Sequence, residues 1–196
     1  MVFSRRRGRK RTQYTGVHVA IDLSKNRHFA ILAPMPTESG EYIVGAYLQF
    51  FHDCDIVLYN ERQKGGKLAG LSELDVVGLN LVKKQAFLCE VTTHILGMWI
   101  TDLPTTIKKV SAKFNAQQEY AKTRLSGFDV CYMLWSPVVT NKKLIDFLKG
   151  IDDRVIIING EFKKRVQQLR EKAASQTHDM GNPFMRTLQI LEHLRD

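Results

Sequence analysis

Two periods of apolar and polar residues alternate along this chain, and each change of period marks an element. Residues 14–34 hold two β-like runs around Ser24, Lys25, Asn26 and Arg27, which predicts a hairpin. The segment PMPTESG (34–40) has the composition of a helix start. Tyr42, Ile43, Ala46, Tyr47, Phe50 and Phe51 then recur at helical spacing, with Glu41 in the first turn. CDIVLYNE (54–61) reads as a short strand and QKGGKLAG (63–70) as a glycine-rich loop. LSELDVVGLN (71–80) and QAFLCEVTTH (85–94) read as two strands joined by a short turn near LVKK.

A long helix is predicted over 101–127, with Pro104 near its start and Gly127 after its end. FDVCYMLWS (128–136) and RVIIING (154–160) are apolar, β-branched runs of the kind that form central strands. NKKLIDFLKG (141–150) between them predicts a short helix. EFKKRVQQLREKAAS (161–175) predicts a longer amphipathic one, and a loop and terminal helix complete the chain. Three short-connected strands followed by crossover helices imply an α/β fold with a mixed central sheet, antiparallel first and parallel later. Helices are expected on both faces. No internal repeat or linker divides residues 15–196, which are expected to form a single domain.

Composition narrows the class. The 196 residues are 44% hydrophobic and 25% charged, enough for one proper core. No apolar run reaches the roughly 18 residues that a spanning helix needs, so no membrane association is expected. The N-terminal cluster has no apolar stretch of a secretory signal behind it. Cys54, Cys89 and Cys131 are widely spaced among apolar neighbours, which suits reduced core thiols in a cytoplasmic protein. The net charge is +9, and Arg5, Arg6, Arg7, Arg9, Lys10 and Arg11 supply six of those charges, leaving +3 for the rest. Residues 1–14 are therefore expected to be a flexible cationic arm suited to phosphate backbones, with a solubilising or localisation role as the alternative.

Candidate chemistry begins at CEVTTH (89–94), where a strand entering a core places a carboxylate, Glu90. An unpaired buried carboxylate is costly, so a partner is expected. A turn centred between Val82 and Lys83 puts Asp75 opposite Glu90, with Thr92 on the same face. Directly opposed residues have Cβ atoms about 5 Å apart, and like charges there are destabilising. A hard divalent ion would reconcile them. A hydrogen-bond network or a solvated strand end would also do so, and a one-residue shift in the turn would separate the pair.

This combination resembles the PD-(D/E)xK nuclease superfamily: a first-turn Glu, a hairpin with Asp on one strand and Glu-x-Thr on the next, then a long helix rich in Lys and Gln. The family includes many type II restriction endonucleases, archaeal Holliday junction resolvases and other recombination and repair nucleases. The resemblance covers roughly half the chain, from Glu41 to about Ser136, and implies a restriction-endonuclease-like αβββαβ core. Here that core is preceded by the N-terminal hairpin and followed by C-terminal helices.

By position, the resemblance makes Asp75 the first acid and Glu90 the second, both holding Mg2+ or Mn2+, with Glu41 as an auxiliary acid. Leu74 stands where the motif has Pro. Thr92 stands where it has lysine, and threonine cannot supply the positive charge. A second metal or a water network, a lysine moved to the following helix (Lys108, Lys109 or Lys113), or a decayed site are the three ways to read that change. Lys108 is taken as a candidate catalytic residue together with Thr92.

The function so implied is magnesium-dependent hydrolysis of DNA phosphodiesters in restriction, recombination or repair. The basic arm and Gln117 would contact the nucleic acid, and a homodimer is an option that the family suggests. The alternative is a nuclease fold without chemistry, serving as a nucleic-acid-binding or assembly protein, and a basic RNA-associated α/β protein is a third reading. The QKGGK loop lacks P-loop spacing, so no nucleotide cofactor is expected.

Overall fold

The computed structural model describes residues 37–62, 73–98 and 102–195. The cationic arm, the N-terminal hairpin and the glycine-rich loop expected from the sequence lie outside these residues. The elements are α1 (Ser39–Phe51), β1 (Ile56–Arg62), β2 (Glu73–Asn80), β3 (Gln85–Val91), α2 (Leu103–Arg124), β4 (Asp129–Ser136), α3 (Lys142–Lys149), β5 (Arg154–Ile158), α4 (Gly160–Ala174) and α5 (Pro183–His193). The described residues thus form an α/β fold of five strands and five helices, in the order that the hydrophobic periods predict.

The strands form one open sheet in the order β1-β2-β3-β4-β5. The first three pair antiparallel, and β3-β4 and β4-β5 pair parallel. The change of sense follows from connection length. Four residues join β2 to β3, and in that turn Lys84 adopts φ +53° while Asn80 Oδ1 accepts the N–H of Lys83 at 2.8 Å. Each parallel neighbour instead needs a helical crossover, which α2 and α3 supply. Val76 faces Cys89 and Asn80 faces Gln85, the register expected from the turn.

Alternation across the sheet divides the core. Val76, Phe87, Cys89, Met133, Trp135 and Ile157 pack under α1, α4 and α5 through Val44, Leu48, Phe162, Leu169 and Met185. The opposite face carries α2 and α3, whose Val110, Phe114, Leu144 and Leu148 cover Leu134 and Ile158. Tyr120 and Ala121 of α2 extend that layer over Val77, Ala86 and Leu88. The helices start where the chain can satisfy their free N–H groups. Asp102 caps α2, accepting the N–H of Thr105 at 2.8 Å, and Asn182 caps α5. At α1, Glu38 and Glu41 form a reciprocal capping box. Among the described residues no helix is long and apolar enough to cross a membrane.

Candidate active site

At one end of the sheet β2 and β3 part company. Pairing of β2 with β1 continues to Glu73, and pairing of β3 with β4 continues to Val91, but β2 and β3 are last joined at Val76 and Cys89. Asp75 and Glu90 occupy the next position, on the face that α2 covers. The Asp75 carboxylate bridges the opening, with Oδ2 accepting the Val91 N–H at 2.7 Å. Asp75 and Glu90 are both buried, Glu90 at only 2% exposure. The expected juxtaposition of these two acids is therefore present.

Two further side chains enter from outside the hairpin. Lys113 of α2 donates to Glu90 Oε1 and lies 3.7 Å from Asp75 Oδ1. Glu41, buried at the start of α1, accepts the Glu38 N–H at 3.1 Å and the Asn60 side-chain amide at 3.2 Å. The start of α1 comes this close because Gly40 has no side chain: a Cβ there would overlap Thr93 just beyond β3. Asn60 stands across from Asp75, between the pairs Tyr59–Val76 and Glu61–Leu74, and it adopts φ +55°. Asparagine tolerates that left-handed conformation better than most residues.

The charge balance is acid-rich: Asp75 and Glu90 share one amine, and Glu41 adds a third carboxyl group that interacts with Asp75. Burial pushes Glu90 well above the usual carboxylate range, and the neighbouring Asp75 adds to this against the opposing pull of Lys113. Burial lowers the Lys113 amine, but Glu90 and Asp75 more than offset it and hold it above its ordinary value. Glu41 is pushed up to about 7, chiefly by burial and secondarily by the Asp75 charge, against the lowering effect of its two hydrogen bonds. Glu90 Oε2 is buried without a hydrogen-bond partner among the described residues.

A carboxyl group whose folded-state pKa is raised favours folding below its unfolded pKa, and that advantage is lost as pH rises through the folded value. For Glu41 the loss falls between about pH 4.5 and 7. Glu41→Gln is therefore expected to stabilise the metal-free protein at pH 8 by up to about 3 kcal/mol and to change little at pH 4. Urea midpoints of both proteins at the two pH values measure this.

The other sequence candidates lie elsewhere or act differently. Lys108 is exposed on α2. Five helical residues turn it about 140° from Lys113, so Lys113 supplies the amine in its stead. Thr92 follows the end of β3 and donates its N–H to Trp135 O at 2.9 Å, which keeps the chain on β4. The amine beside the carboxylates thus comes from α2 and not from the strand position of Thr92.

Gln117 is fully buried. Its Nε2 donates to Leu88 O at 3.0 Å and Met133 O at 3.3 Å, and its Oε1 accepts from Arg154 at 2.7 Å. It thus ties α2 to the sheet, with its side chain fully enclosed where a nucleic-acid contact was expected. The candidate phosphate contacts Arg5, Arg6, Arg7, Arg9, Lys10 and Arg11 lie outside the described residues. Asn60 and Arg154 escaped the sequence reading. An asparagine inside the apolar run of β1 was the one signal for the former, and Arg154 gave none.

Among the described residues no group of three or more His, Cys, Asp and Glu side chains is arranged to hold a metal ion. Asp75 and Glu90 nonetheless fit a hard cation as a pair. They present adjacent carboxylates, one with a buried oxygen lacking any partner, and magnesium commonly takes one or two protein carboxylates with water and phosphate completing its shell. Compared with known proteins, the chain matches no family model, no curated protein and no solved structure.

Proposed function

We propose that this chain is a magnesium-dependent DNA nuclease of the PD-(D/E)xK type, with the catalytic lysine moved from β3 to α2. The reading is carried by one observation: Lys113 reaches both Asp75 and Glu90 from a separate element, at the splayed end of the hairpin. The order α1-β1-β2-β3-α2-β4, with the antiparallel meander and parallel fourth strand, supports a restriction-endonuclease-like core.

In this proposal Asp75 and Glu90 hold Mg2+ or Mn2+, and Glu41 is an auxiliary acid. Such an ion, when bound, lowers the pKa of an attacking water and offsets charge developing on the scissile phosphate. The Val91 N–H orients the Asp75 carboxylate. Lys113 supplies a fixed positive charge beside the phosphate, stabilising charge that develops in the transition state. Glu41, whose pKa is raised by burial to about 7, accepts or releases a proton beside Asp75. The cationic arm would add sequence-independent contacts to the DNA backbone.

A second reading keeps the fold and drops the chemistry, leaving a nucleic-acid-binding or assembly protein. It is favoured by the direct Lys113–Glu90 ion pair, in which the ammonium neutralises charge that a metal would otherwise meet. Incubating the purified protein with duplex, branched and single-stranded DNA separates the two. Cleavage of at least one substrate with Mg2+ or Mn2+, stopped by EDTA, is expected. Binding without cleavage of any substrate under either metal would favour the second reading.

A further inference from the structure

We propose that Arg154 and Gln117 form a positioning clamp that sets where Lys113 meets the carboxylates, so that β5, two strands from β3, controls the site. The inference rests on the reading of Lys113 as the site's amine, but its geometry stands independently of DNA cleavage. Gln117 lies four residues after Lys113 on α2, and Leu88 lies two residues before Glu90 on β3. Four helical residues advance about 6 Å and two strand residues about 6.6 Å. The Gln117–Leu88 hydrogen bond and the Lys113–Glu90 pair are therefore two rungs of nearly equal spacing between the same elements. Fixing the first rung fixes the height of the second.

The two sheet carbonyls select the NH2 end of the amide, which would leave the buried Gln117 Oε1 unpaired. Arg154 fills that need and locks the amide in place. Its guanidinium donates to Gln117 Oε1 at 2.7 Å and to Phe114 O at 3.2 Å, which leaves the amide NH2 to meet the sheet carbonyls. The guanidinium is packed over the rings of Phe114 at 4.1 Å and Tyr132 at 4.9 Å, and its side chain is 3% exposed. A planar cation held by two rings and two hydrogen bonds has few alternative positions. Asp153 lies 3.7 Å from its Nε on the outer side. The chain of contact runs from β5 through Arg154, Gln117 and one turn of α2 to Lys113.

A double-mutant cycle on stability tests this without any substrate. Lys113→Met is made in the wild-type, Gln117→Leu and Arg154→Lys backgrounds, and unfolding constants are measured in urea at pH 7. If the clamp positions Lys113, the effect of Lys113→Met on the unfolding constant shrinks at least tenfold in the Gln117→Leu background. The reduction is smaller in Arg154→Lys, where lysine keeps the charge and reaches one acceptor rather than two. Additive effects in both backgrounds would overturn the proposal, since a merely structural tie leaves the Lys113–Glu90 energy unchanged. Should Gln117→Leu fail to fold, the Arg154→Lys cycle carries the same decision.

With a DNA substrate that wild type cleaves, Arg154→Lys is expected to lower kcat at least tenfold at unchanged folded fraction, with KM within twofold. An unchanged kcat would overturn the proposal. If wild type cleaves nothing but the stability coupling is found, the nuclease reading falls and the clamp remains.

Discussion

Lys113→Met is expected to reduce metal-dependent DNA cleavage by at least about a hundredfold and to destabilise the fold by about 2–3 kcal/mol at pH 8. The catalytic loss follows from removing a fixed charge beside the phosphate, where one preorganised donor is commonly worth ~10²–10³ in rate. The stability loss has a separate origin. Removing one partner of a buried pair leaves the other uncompensated, which costs about 3–5 kcal/mol when burial is complete. Lys113 is 31% exposed, so the cost is reduced to about 2–3 kcal/mol. The cost should fall at pH 5, because Glu90 without its ammonium takes up a proton more readily. A second change, Glu90→Gln in the Lys113→Met background, should recover most of the stability at pH 8 and none of the cleavage. Urea denaturation of the single and double variants, read beside a cleavage assay, checks both parts.

Glu90→Gln alone is expected to abolish cleavage to a comparable degree while leaving the protein folded. Its stability signature is distinctive. Glu90 has its folded-state pKa raised by burial and by Asp75, so wild type loses stability as pH rises above the unfolded carboxylate value. Glutamine does not titrate. From pH 5 to pH 8 the variant should therefore lose less stability than wild type, even though it gives up the charged hydrogen bond to Lys113. Thermal midpoints across that range in EDTA provide the comparison. A variant whose pH dependence ran parallel to wild type would show that Glu90 is already ionised and fully compensated in the free protein.

Much of this site could be read from the chain because its local rules are strict. The four-residue connection at Leu81–Lys84 sets the register of β2 against β3, and side-chain alternation then brings Asp75 and Glu90 to one face. Glu41 was readable because helical spacing from Tyr42 onward fixes where the first turn begins. The amine was less accessible. Three lysines on α2 were candidates. From Val110, which with Phe114 defines the buried stripe, Lys113 lies about 60° around the helix and Lys109 about 100°. Choosing between them requires knowing how far α2 has slid along β3, which depends on contacts such as Gln117–Leu88. Lys108 fails for a simpler reason: it falls outside the stripe.

Non-local packing accounts for the remaining differences. Gln117 was expected to meet nucleic acid, yet it is enclosed because Arg154 arrives from a strand 37 residues later. Arg154 itself precedes an apolar run and resembles an ordinary strand-end charge. Its burial depends on Phe114 and Tyr132 lying on two other elements. The left-handed turn at Asn60 likewise answers to Glu41 across the fold, not to its own neighbours.

The most direct test of the central claim compares wild type with Asp75→Asn in one preparation, measuring Mn2+ binding by calorimetry and cleavage of the preferred DNA substrate. Asparagine keeps the shape of the side chain and an oxygen for the Val91 N–H, so the fold should persist. Wild type is expected to bind Mn2+ and cut, while Asp75→Asn loses both, with an unchanged circular dichroism spectrum. Cleavage by Asp75→Asn at the wild-type rate, or Mn2+ binding that survives the substitution unaltered, would contradict it.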